Sequence, residues 1–179
     1  MKKHLFIFVG ILVFSLIGSA NAVVVTFNDL SAGIEVPDGY GGLEWDQFDT
    51  MELPPSSGEN IAYNAFNNPA LVSSSSLFDF IGASFISLFD DTNTLYITAY
   101  REGAEVFNQE LALNNLSFTA FQPLNWTGID ALSFMTEGFH FGMDNFEYQP
   151  SAPVPEPATL LLLGSGLIGF ARLRRKIQK

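Results

Sequence analysis

Between residues 23 and 153 no run of ten or more residues holds a persuasive helical hydrophobic period. Gly, Asn, Ser and Asp instead interrupt the segment every eight to twelve residues, and short alternating stretches lie between them. Alternation with period two puts apolar groups on one side of an extended strand; it cannot build the stripe that a core helix needs. The fold class expected is therefore all-β, a single β-sandwich of the jelly-roll kind. Fourteen of the chain's 18 Phe fall in this segment with both Trp and all five Tyr, so the apolar mass for a core is present. A segment of this size buries roughly two-thirds of its unfolded surface.

Strands are expected at residues 23–27, 43–48, 61–64, 77–80, 83–89, 94–100, 104–113, 115–121, 128–135 and 139–148. The clearest hairpin joins 94–100 to 104–113 through Arg101-Glu102-Gly103. Ser73 to Ser76 reads as a loop or its edge. In the last strand Phe139, Phe141 and Met143 share one parity, whereas Phe146 and Tyr148 take the other. A one-residue slip at Asp144-Asn145 puts both sets on the core side, which predicts a β-bulge there.

The two ends read as addresses. Lys2 and Lys3 precede an apolar run, residues 5–18, and the small-x-small site Ala20-Asn21-Ala22. This is the pattern of a secretory signal peptide over 1–22, cleaved after Ala22; an uncleaved N-terminal anchor is the alternative. At the other end Val154-Pro155-Glu156-Pro157 leads into a second apolar run, 158–171, and a tail holding five of the eight Lys and Arg. Fourteen helical residues reach only ~21 Å, short of a ~30 Å hydrocarbon core, so a span over 158–179 relies on snorkelling arginines and local thinning. Basic residues flank both apolar runs on their outer sides, which keeps both flanks cytoplasmic and places the central domain outside. The expected organisation is a signal peptide at 1–22, a sandwich at 23–150, a linker at 151–157 and a transmembrane helix with basic tail at 158–179.

Val154-Pro155-Glu156-Pro157, the Leu-rich run and the Arg cluster together resemble the PEP-CTERM sorting signal of exported bacterial proteins. The resemblance implies processing by a membrane-embedded exosortase, with cleavage near Pro155-Glu156-Pro157. It also implies transient anchoring in the inner membrane and delivery to the cell surface or extracellular matrix. A plain tail anchor is the alternative. Phe27-Asn28-Asp29-Leu30, Gly39-Tyr40-Gly41-Gly42-Leu43-Glu44-Trp45, Phe78-Asp79-Phe80 and Met143-Asp144-Asn145-Phe146 resemble a β-sandwich domain similar to carbohydrate-binding, galactose-binding-like modules. That resemblance implies a structural Ca²⁺ where first and last strands meet, for which Asp29 and Asp144 are the matching residues.

Catalytic chemistry is poorly supplied. There is no Cys, hence no thiol nucleophile and no disulfide framework. His140 is the one His outside the signal peptide, and its place between Phe139 and Phe141 reads as a surface-facing strand position. No G-x-S-x-G elbow, H-E-x-x-H, P-loop or G-x-G-x-x-G is present. The expectation is a non-catalytic protein that binds or organises exopolysaccharide, with Tyr40, Trp45, Tyr96, Tyr100 and Trp126 as stacking candidates. A structural matrix protein and a secreted glycoside hydrolase are the rivals; the hydrolase needs two carboxyls about 5–10 Å apart across a cleft. Of 19 Asp and Glu, all but Glu156 lie in residues 23–153, opposed by Arg101 alone, a net of −17. Nucleic acid is thereby excluded as a partner, because phosphate binding draws on surplus Lys and Arg.

Overall fold

A computed structural model describes residues 21–54, 57–65, 69–138 and 140–151. Ala20, the sorting motif Val154, Pro155, Glu156 and Pro157, and the apolar runs at both ends lie outside the described residues; Ala22 is described and exposed. Among the described residues no helix is long and apolar enough to cross a membrane.

The described chain is all-β. Its strands are β1 (Val23–Val25), β2 (Glu44–Asp46), β3 (Phe48–Glu52), β4 (Asn60–Asn64), β5 (Ala70–Leu88), β6 (Thr92–Arg101), β7 (Ala104–Asn114), β8 (Gln122–Thr136) and β9 (His140–Pro150). All pairings are antiparallel and run β3-β4-β9-β5-β8-β6-β7, with β1 added to β9 and β2 to β5. In that order β3 and β8 stand four places apart, about 19 Å across a flat sheet at ~4.8 Å per strand. Yet the rings of Phe48 on β3 and Phe134 on β8 lie 6.0 Å apart, and Phe48 also meets Phe141 at 6.1 Å. The hydrogen-bonded sheet thus folds over on itself into two layers, and the aromatic core fills the space between them.

Period-two alternation decides which side of each strand enters that core. On β6 Leu95, Ile97 and Ala99 are fully buried while Tyr96, Thr98 and Tyr100 face outward. The slip expected in β9 is present: Phe141, Met143, Phe146 and Tyr148 are all buried, and Asn145 between the two pairs has φ 52°. A matching slip on β5 lies between Phe80 and Ser84, so Phe78, Phe80, Ala83 and Phe85 all point inward as well. The paired irregularities restore the register, and both strands turn the corner together.

Four expectations are corrected. The segment 43–48 is not one strand: Trp45 and Phe48 have opposite parity yet both are buried, and Gln47 (φ 63°) makes the kink that permits it. The chain there leaves a pairing with β5 for one with β4. Residues 77–80 and 83–89 are not separate strands, and Ser73 to Ser76 are not a loop; all but Phe89 belong to β5. Ser73 pairs with Glu44 on one side and Ala131 on the other, so two ladders fix the start of a run whose composition favours a turn. Residues 115–121 form no strand but a cover. Thr119 exchanges two hydrogen bonds with the Phe85 backbone (2.7 and 3.0 Å), and Phe118 packs on Ile61, Ile86 and Leu88, a small apolar cluster outside the main core.

Candidate functional site

The five aromatic residues expected on a glycan surface divide into two groups. Trp45 is 3% exposed, set edge-on against Phe27, Phe48 and Phe146, and its indole N–H donates to the Tyr40 carbonyl at 2.8 Å. Trp126 is 8% exposed and stacks on Phe107 at 5.6 Å. Both are core residues with no face left for a ligand, because closing the two layers buries the inward positions of β2 and β8. That corrects their assignment as stacking candidates.

Tyr40 is half-buried at the edge of the core, stacked on Phe27 at 5.8 Å. Its hydroxyl meets the Thr26 carbonyl and the Asp29 carboxylate. Burial, then the Asp29 hydrogen bond, hold its pKa far above the usual phenol value. It closes one end of an open depression of about 500 Å³ along Val23 to Thr26. Asp29 and Asp144 come to this same region, since both charges act on the Tyr40 phenol. Among the described residues, however, no three Asp, Glu or His side chains group as a metal site would require. Ca²⁺ takes six to eight oxygens, and these two acids fall well short of that set.

Tyr96 and Tyr100 do stand outward, on the face of β6 away from the core. Their cross-strand neighbours are Glu110 and Met135 for Tyr96, and Glu105 and Ala131 for Tyr100. The Tyr96 hydroxyl donates to Glu137, and that bond pushes its pKa up to about 12. The result is a flat surface of two phenols rimmed by carboxylates, suited to stacking and to accepting hydrogen bonds.

The opposite layer carries an aromatic group that alternation alone did not reveal. Tyr63 on β4 and Asp49 on β3 are cross-strand partners facing away from the buried Phe48, Thr50 and Ala62. The His140 ring lies between two others, 5.8 Å from Tyr63 and 5.7 Å from Phe89, nearly perpendicular to each. Phe89 is 73% exposed with φ 70°, held out just past the end of β5. These residues, with Met51 and Ala65, line a depression of about 380 Å³. The sequence signal was faint: a Phe directly before Asp90-Asp91, where a turn residue belongs.

The chain is similar, at low sequence identity, to several solved structures. A DUF4465 family protein from Bacteroides caccae is 14% identical with a TM-score of 0.46, over 73% of this chain and 100% of that one. An agarase is 8% identical with a TM-score of 0.44, over 74% of this chain and 25% of that one. The CBM22-1-GH10 modules of Clostridium thermocellum endo-1,4-β-D-xylanase 10B, complexed with xylohexaose, are 11% identical with a TM-score of 0.40, over 76% and 29%. The chain thus spans about a quarter of the agarase and of the xylanase structure. No curated protein sequence matches it significantly. Residues 153–176 match the PEP-CTERM protein-sorting motif. The chain therefore joins a β-sandwich domain to a PEP-CTERM signal, the mark of an exported exosortase substrate.

Proposed function

We propose that the exported sandwich is a non-catalytic polysaccharide-binding domain, held in the inner membrane before processing and released to the cell surface or matrix, where it binds exopolysaccharide. One observation carries the reading: Tyr96 and Tyr100 present two partly exposed rings on one face, with Glu105 and Glu110 beside them on β7. Aromatic faces stack on the C–H faces of pyranose rings, and flanking carboxylates accept from sugar hydroxyls. The test is retention of the full-length chain, in detergent, on immobilised neutral and acidic polysaccharides. Retention lost in the Tyr96→Ala/Tyr100→Ala double variant supports the reading. Absence of retention on every polysaccharide overturns it in favour of a purely structural matrix role.

A further inference from the structure

From the depression between Asp49, Tyr63, Phe89 and His140 we infer a second glycan site, on the layer opposite Tyr96 and Tyr100, that takes a hexosamine carrying a free amine. The site does not depend on the first, because it faces the other way and shares no residue with it.

The polar groups of the depression are acceptors. The Tyr63 phenol stands beside its cross-strand partner Asp49; burial and that carboxylate both hold it protonated above its usual range. The Asp49 carboxylate accepts only. His140 Nδ1 faces the Asn64 carbonyl at 2.6 Å, and since a carbonyl cannot donate, Nδ1 carries the hydrogen. In the neutral ring Nε2 is then an acceptor. Met51, Ala65 and Phe89 complete the lining and contribute no donor. A ligand that fits must bring donors of its own.

Charge narrows the class further. Arg101 is the only Lys or Arg in residues 23–153, and its guanidinium is held by the Thr127 and Gly128 carbonyls. A uronate, sulfated or phosphorylated glycan would meet no Lys or Arg in this depression and a domain of net charge −17 around it. An ammonium group gains there from three sources. It forms a charge-assisted hydrogen bond to Asp49, it lies against the faces of Tyr63 and Phe89, and the field of the whole domain draws it in. An N-acetylated sugar keeps the stacking of its ring and loses all three.

The test uses the full-length chain in detergent and three tetrasaccharides: fully deacetylated glucosamine, its N-acetylated form, and galacturonate. The deacetylated oligomer is expected to bind at least about tenfold tighter than the acetylated one at low salt, with the gap closing as salt rises, and galacturonate is expected not to bind. Phe89→Ala and Asp49→Asn are each expected to weaken that binding about tenfold or more. Both positions are at the surface, and an unchanged melting temperature shows that the fold is kept. Equal affinity for acetylated and deacetylated oligomers, or tighter galacturonate binding, overturns the assignment. Amine-dependent binding that neither variant alters also overturns it, since it would be diffuse attraction to an acidic surface.

Discussion

The Gln122 carbonyl oxygen faces Gly82 so closely that a β-carbon at position 82 would lie 2.0 Å from it. The contact is backbone against backbone, at the corner where β5 shifts register against both β8 and β9. No side-chain rotation can relieve it. Gly82→Ala is therefore expected to cost about 3 kcal/mol or more by forcing the two strands apart. A fall in the urea midpoint of the variant measures it, and an unchanged midpoint would show that the corner yields.

The Tyr96–Glu137 hydrogen bond makes the alkaline titration of the protein readable. Ionising Tyr96 would set a phenolate against a carboxylate, so its pKa sits at about 12. Glu137→Gln keeps a hydrogen-bond acceptor and removes the charge. Ultraviolet titration of the variant is expected to show one phenol ionising earlier, nearer the ordinary value of 10.0. A titration curve identical to that of the parent would mean that the pair does not persist in solution.

Asp144 lies at the β9 bulge, and burial pushes its carboxyl above the usual 3.8. The Asn145 backbone N–H, at 2.7 Å, opposes that shift, and nearby Glu59 adds to it. Between the unfolded and folded pKa values the native state binds more protons than the unfolded chain, so stability falls as pH rises through the folded value. In chelator-treated protein Asp144→Asn is expected to raise the melting temperature at pH 7 and to have a smaller effect near pH 3.8, where the parent is largely neutral. Repeating the measurement with calcium tests the cation implied for Asp29 and Asp144. Loss of a calcium-dependent melting increment in the variant would assign the carboxylate to a bound ion.

The buried indoles and the outward phenols should separate stability from binding. Trp45→Ala removes a ring that touches three others and is expected to cost about 3–5 kcal/mol. Tyr100→Ala removes a half-exposed ring and is expected to change stability by less than about 1 kcal/mol. Its effect should be seen in polysaccharide retention instead. Denaturant midpoints beside retention for the two variants check the division, and equal destabilisation would place Tyr100 in the core.

Local alternation carried much of the fold. The Thr94–Tyr100 stretch reads correctly because one face is wholly apolar, and the parity change across Asp144-Asn145 was visible because aromatics lie on both sides of it. Pairing partners were not legible. Ser73 is a strand residue only because Glu44 and Ala131 flank it, and neither is near it in sequence. The same limit explains the tryptophans. A Trp beside a turn has equal local reasons to point out or in, and Trp45 is buried by Phe27, Phe48 and Phe146, which converge from three segments. The depression around His140 draws on residues 49, 63, 89 and 140, so no window of sequence contains it.

The pairing of β1 with β9 sets Val23 opposite Tyr148, so the chain enters and leaves the sandwich side by side. His140 begins the strand that Pro150 ends, about 30 Å further on at ~3.3 Å per residue. The domain thus has one end where the described chain enters and leaves and an opposite end, and the His140 depression lies at the opposite one. A ligand seated there would lie about a strand's length from the place where both ends of the described chain leave the sandwich.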